Sequence, residues 1–243
     1  MNALDEFDPP AYVLNFGEIF TNPVQQGASV YLQKTLAKSP RWEAFMEMVE
    51  LGTGLMLLGF LHFHLLAVSS IILGADAFNK DSQFLDEYYL SYIGIPLVIV
   101  AILVHGVAAM RKAPWRFLEA RVVYQHSRRL THLDTWLWVV QIVTGGAVLI
   151  LGAIHIWSTL VTWPIEAKTS ALRVQGGHFT FYLILLAVAE IHAIAGLYRI
   201  LVKWGWWHRS KFINYLLFIA AFFVALGVIA LIFFYVLNVK GLS

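Results

Sequence analysis

Five apolar segments dominate the chain, running roughly from Leu51 to Gly74, Tyr92 to Met110, Leu133 to Leu160, Phe179 to Leu201 and Phe212 to Val239. Each reaches the length, about 20 helical residues, that crosses about 30 Å of hydrocarbon. Backbone polar groups in lipid must be satisfied within the segment or its neighbours, so helices are the expected form of such runs. The expected fold is an all-α integral membrane bundle of five transmembrane helices. Composition agrees: the 243 residues are 59% hydrophobic and only 13% charged, with a mean hydropathy of +0.69, outside the range of ordinary soluble domains. No charged stretch followed by a short apolar core opens the sequence, so no cleaved signal peptide is expected.

Charges are sparse and unevenly placed. The loop "RKAPWRFLEARVVYQHSRR" carries Arg111, Lys112, Arg116, Arg121, Arg128 and Arg129, and the next loop on that side adds Lys203, Arg209 and Lys211. The opposite loops hold Asp76, Lys80, Asp81, Asp86 and Glu87, then Glu166, Lys168 and Arg173. Because cytoplasmic loops carry the excess of Lys and Arg, the N-terminus is expected in the cytoplasm and the C-terminus outside. Tryptophans including Trp115, Trp136, Trp163, Trp204 and Trp207 fall near span ends, as an aromatic belt would. Residues 1–50, with Pro9 and Pro10, read as a cytoplasmic arm, and residues 51–243 as the membrane domain.

Several chemistries are excluded. The chain has no cysteine, which removes disulfides, thiolate metal sites, iron-sulfur ligation and the covalent attachment of c-type haem. A Gly-rich phosphate loop is also missing, so nucleotide or flavin chemistry has no support within this chain. The net charge of +2 gives no ground for a nucleic-acid partner.

The first four spans each carry histidine well inside: His62 and His64 in "LGFLHFHLLAVSS", His105 in "AILVHGVAAMRK", His155 in "LILGAIHIWSTL" and His192 in "AVAEIHAIAGLYRI". The fifth has none. A lone histidine in a span is ordinarily a hydrogen-bonded packing residue. Four on four different helices point elsewhere, because neutral imidazole is a common metal ligand and facing helices of a bundle hold cofactors in its core. No carboxylate or cysteine completes a tetrahedral zinc set, and small neighbours such as Gly106, Ala109, Gly152 and Ala193 leave room for a flat ring. Haem is therefore the expected group.

Depth suggests how the histidines pair. His105 lies about 9 Å before Arg111 and His192 about 10 Å before Arg199, both toward the cytoplasmic side. His155 lies about 13 Å before Pro164 and His64 about 18 Å before Asp76, toward the other side. His105 with His192 on an inner haem and His64 with His155 on an outer one is the simplest arrangement. Two histidines per iron fill both axial positions, so each haem would carry electrons and bind no substrate. Residues two apart on a helix point about 200° apart, so His62 and His64 cannot both face one iron, and spacing does not say which one does.

These residues resemble a known family, the dihaem cytochrome b membrane subunit of quinol:fumarate reductases and of the related menaquinone-linked succinate dehydrogenases. The resemblance is carried by "FHLLAVSSIILG", "LVHGVAAMRKAP", "THLDTWLWVVQIVTGGAVLILGAIHIW" and "YLILLAVAEIHAIAGLYRILVKWGWW", between Thr53 and Trp207. It implies two b haems with bis-histidine ligation, His105 with His192 proximal and His64 with His155 distal, and it selects His64 over His62. Lys203 and Trp138 match positions that hold proximal haem propionates, and Arg173 is implied to meet a distal one. On spacing alone Lys203 is a flanking interfacial cation. The implied partners are a flavoprotein (FAD) subunit that interconverts fumarate and succinate and an iron-sulfur subunit that passes electrons to the proximal haem. A dimer of that heterotrimer is compatible with the same reading, and menaquinol is the implied substrate.

Glu190, two residues before His192, is a carboxylate deep in an apolar span, where a charge costs roughly 2.5 to 3.5 kcal/mol even on lenient scales. The resemblance implies that it carries protons in parallel with inward electron flow. The alternative is a protonated carboxyl hydrogen-bonded to a neighbouring helix. For the quinol itself the family implies an acidic residue in the first outer loop. Here "QFLDEYYL" offers Asp86 and Glu87, of which Glu87 is preferred, with a solvated acidic loop as the other reading. The remaining functional alternatives are the same complex run as a succinate:menaquinone oxidoreductase, and the cytochrome b subunit of a hydrogenase or formate dehydrogenase. A proton-coupled transporter would bind no chromophore and would be expected to show helix breaks or a repeat, which the chain lacks.

Overall fold

The computed structural model describes residues 40–114, 116–130, 133–206 and 209–241. The expected arm as far as residue 39 and the belt residues Trp115 and Trp207 lie outside the described residues. The described residues build helices and no strand: α1 Pro40–Val68, α2 Ala75–Glu87, α3 Leu90–Met110, α4 Phe117–Leu130, α5 Leu133–Leu160, α6 Ala167–Arg173, α7 Phe179–Lys203 and α8 Arg209–Val236. A 3-10 turn, Ser69–Leu73, extends α1, and a π segment, Val174–His178, joins α6 to α7. Five helical stretches are long and apolar enough to cross a membrane: Arg41–Leu73, Leu90–Met110, Leu133–Leu160, Ala167–Lys203 and Ile213–Val236. The all-α expectation of five spans therefore holds. α1 starts within the residues that composition reads as arm, because Pro40 suits a first helical position and Glu43 suits a first turn, so the helix precedes its own apolar stretch.

The chain forms two compact units. In the smaller one, α4 exposes Arg121, Arg128 and Arg129 and buries Glu119 and Ser127. The Ser127 hydroxyl donates to the Val123 carbonyl at 2.8 Å.

The larger unit contains the five spans. α7 packs closely against both α5 and α8, and α3 lies beside α5. Lipid offers no hydrophobic drive for helix association, so close contact depends on small residues that let backbones approach. A Cβ on Gly196 would stand 2.8 Å from Gln141 Nε2, and one on Gly227 would stand 2.8 Å from Leu186 Cδ2. Large apolar side chains such as Ile93, Val107, Val143 and Phe218 point outward, where a bilayer solvates them.

One end of this bundle is closed by short helices. Gly74 adopts φ 116°, open to glycine at no steric cost, and turns the chain from the 3-10 segment into α2. Ile71, Ala75, Phe78, Ala167, Ala171, Val174, Ala230 and Phe234 then form a buried cluster, with the Phe78 and Phe234 rings edge to face. Asn79 Oδ1 accepts from the Ala167 amide at 2.8 Å and the Ser82 hydroxyl donates to the Ile165 carbonyl at 2.6 Å, tying α2 to the start of α6.

At the other end, Glu43, Glu47 and Glu50 recur at helical spacing on one face of α1. They meet Arg111 and Lys112 just after α3 and Lys203 at the end of α7. Lys112 Nζ lies 2.7 Å from both Glu47 and Glu50, Arg111 pairs with Glu43, and Lys203 pairs with Glu47. Exposed pairs are worth about 0.2 to 1 kcal/mol each. The network matters more because it sets the rotation of α1 against α3 and α7.

Candidate functional site

Four of the helical histidines come together as two facing pairs. His64 on α1 and His155 on α5 have ring centroids 5.9 Å apart at 58° between planes. His105 on α3 and His192 on α7 have centroids 6.4 Å apart at 89°. His62, two residues before His64, faces another way. Its ring stacks on Phe223 of α8 at 4.0 Å, and its Nε2 stands 3.4 Å from Glu190 Oε1. The rotation of α1 thus turns His64 toward His155 and His62 toward Phe223 and Glu190.

Two Thr-Gly steps cradle the second pair. Thr53 Oγ1 lies 3.1 Å from His105 Nδ1, and a Cβ on Gly54 would come within 3.1 Å of His105 Cε1. Thr144 Oγ1 lies 3.2 Å from His192 Nδ1, and a Cβ on Gly145 would come within 3.0 Å of His192 Cε1. Gln141 adds a bond from its amide to the His192 carbonyl at 3.3 Å. None of these residues was singled out by sequence. The available signal was the recurrence of Thr-Gly in "LGTGLML" and "IVTGGAV", one in each helix that faces a histidine.

Around the first pair, Tyr182 sets its ring edge-on to His155 at 5.5 Å, and its hydroxyl accepts from Arg173 at 3.4 Å. Arg173 also donates to the Thr162 hydroxyl and keeps its Nε buried without a hydrogen-bond partner. The guanidinium therefore stands one aromatic ring away from His155. At the opposite end Lys203 is held by Glu47, while Trp138 is half-buried on α5, one turn before Gln141.

Glu190 is buried, with 2% of its surface exposed, and both carboxylate oxygens lack a hydrogen-bond partner among the described residues. The His62 nitrogen is near enough for charge interaction but outside hydrogen-bond geometry. Asp86 and Glu87 close α2 and differ in setting. Glu87 is exposed, whereas Asp86 is half-buried with Oδ1 shielded and unpartnered.

Comparison with known proteins gives this geometry its context. The family described as "Succinate dehydrogenase/Fumarate reductase transmembrane subunit" matches residues 118–234. The fumarate reductase cytochrome b subunit of Helicobacter pylori (strain J99) is 32% identical over 67% of this chain and 68% of its own length. That of Wolinella succinogenes is 30% identical over 79% of this chain and 82% of its own. This chain belongs to the succinate dehydrogenase/fumarate reductase transmembrane subunit family. The succinate dehydrogenase cytochrome b558 subunit of Bacillus subtilis is a more distant match, 25% identical over 70% of this chain and 87% of its own.

As a cytochrome b of this family, the chain is a multi-pass membrane subunit of a respiratory oxidoreductase complex, and haem b is the group the family implies. The residues present fit it. Two imidazoles bound through one nitrogen each to opposite faces of one ion, with bonds of about 2 Å, bring their centroids to about 6 Å, and both pairs stand at that separation. The imidazoles face each other two by two.

Proposed function

We propose that this cytochrome b subunit oxidises menaquinol near the outer membrane face and passes the electrons inward for fumarate reduction, with its N-terminus in the cytoplasm. The two facing histidine pairs, drawn from four membrane helices, carry this reading. His64 and His155 would hold an outer haem b, and His105 and His192 an inner one. Held there by these imidazoles, haem b would supply a reversible one-electron couple. Arg173 at the outer end, and Lys203 and Trp138 at the inner end, are the proposed propionate contacts. The partners are an iron-sulfur subunit and an FAD-bearing flavoprotein, which docks beyond it and reduces fumarate to succinate.

The chain's own residues handle protons. Moving two electrons inward costs about 4.6 kcal/mol per 100 mV of membrane potential, at about 2.3 per charge. Glu190, buried in α7 two residues from His192, is the carboxyl proposed to move protons the same way and so cancel that charge displacement. At the quinol end, Asp86 is the better candidate proton acceptor. Its shielded Oδ1 has no partner to give up, while the exposed Glu87 is solvated. Asp86→Asn should lower quinol-driven turnover by about a hundredfold, within the usual range for a general base, whereas Glu87→Gln stays within about twofold. The opposite ranking in a menaquinol oxidation assay restores Glu87.

A dithionite-reduced minus oxidised spectrum of the purified complex, with haem counted as the pyridine haemochrome, tests the core of this reading. Two b haems per chain are expected, and none would refute it. The same residues serve the reverse direction, and the Bacillus relative, named a succinate dehydrogenase subunit, favours keeping succinate:menaquinone oxidoreduction as the second reading.

A further inference from the structure

We propose that Thr53 and Thr144 are positioning residues for the inner histidine pair, fixing the tautomer of His105 and His192 and lowering the potential of the haem between them. This rests on the dihaem reading above. The argument starts with the one proton on each hydroxyl. Thr53 Oγ1 lies 2.6 Å from the Val49 carbonyl, four residues back on α1, and Thr144 Oγ1 lies 2.6 Å from the Val140 carbonyl, four back on α5. Each hydroxyl spends its proton on that short bond inside its own helix. The oxygen can then only accept from the imidazole, so the nearby Nδ1 must be the N–H of each ring. Nε2 is left with its lone pair, the form a metal ligand needs.

The glycine that follows each threonine completes the cradle. Gly54 and Gly145 leave the rings room that a Cβ, at 3.1 Å and 3.0 Å from Cε1, would crowd, and the hydroxyls meet Nδ1 at 3.1 Å and 3.2 Å. The same device appears on two different helices and serves two different histidines of one pair. The other pair differs: His155 Nδ1 is buried with no hydrogen-bond partner among the described residues. An acceptor on the outer nitrogen raises the basicity of a ligating imidazole, which stabilises the oxidised metal more than the reduced one. The inner haem is therefore biased downward relative to a pair lacking these bonds.

The test is an optical redox titration of the purified complex carrying Thr53→Val, Thr144→Val or the corresponding serine substitutions, with haem counted in each. Valine keeps the shape and removes the hydroxyl. Both valine variants should retain two haems and move the same titration wave to higher potential, the wave that His192→Ala abolishes, and both serine variants should titrate as the wild type. Valine variants with two haems and wild-type waves overturn the proposal, as do shifts in different waves. If a valine variant loses a haem, a serine variant that retains it supports the hydroxyl role, and one that also loses it overturns that role. A wild-type complex without two haems would instead defeat the underlying dihaem reading, so the two failures are separable.

Discussion

His192→Ala is expected to leave one b haem per chain against the two proposed for the wild type, and to cut menaquinol-driven fumarate reduction by more than a hundredfold. Changing even a residue that only supports a metal ligand typically costs about 10- to 100-fold in metal affinity or activity, and here a proposed ligand itself is removed. His105→Ala should behave alike, because the two rings face each other at 6.4 Å on separate helices. His64→Ala should remove the other haem. His62→Ala should keep both, since that ring is turned to Phe223 and Glu190. Fumarate reduction fed by a soluble viologen donor, which bypasses this subunit, should be unchanged in all of them and so reports intact assembly. A His192→Ala complex with two haems and normal quinol turnover would sink the assignment.

Glu190→Gln should retain both haems and viologen-driven activity yet lose about tenfold or more in quinol-driven turnover. Glutamine keeps the volume of a side chain that is only 2% exposed, so the bundle should still pack. What it loses is the capacity to take up and release a proton, and positioned acid-base groups contribute about 10²- to 10⁴-fold. Glu190→Asp should restore part of the rate by returning the carboxyl on a shorter stem. Quinol turnover equal to wild type in membranes bearing Glu190→Gln would leave the residue a packing role only.

The setting of Glu190 shows where reading along the chain stops. A carboxylate two residues from a histidine, both inside an apolar run, stands out along the chain because burying its charge is costly in lipid. His62, whose Nε2 stands 3.4 Å from Glu190 Oε1, is far away in sequence on α1, and nothing in either segment names the other. Lys203 makes the same point. Its match to a propionate-binding position is legible, but its partner in the structure, Glu47, comes from an acidic face of α1 that composition assigns to the arm.

By itself the sequence determined the number of spans, the all-α class, which four spans carry histidine, and the exclusion of thiolate and covalent haem chemistry. Those follow from hydropathy, length and residue type, which act locally and along one helix axis. The tertiary structure turns His64, which the resemblance had already selected, toward His155; it alone decided that Asp86 is more shielded than Glu87 and that Thr-Gly steps receive both His105 and His192. The 100° step of a helix fixes how its residues stand relative to one another, but rotation of the whole helix about its axis is set by its neighbours. That rotation depends on contacts between distant segments, such as Glu43 with Arg111 and Gly145 with His192, and no local pattern encodes it.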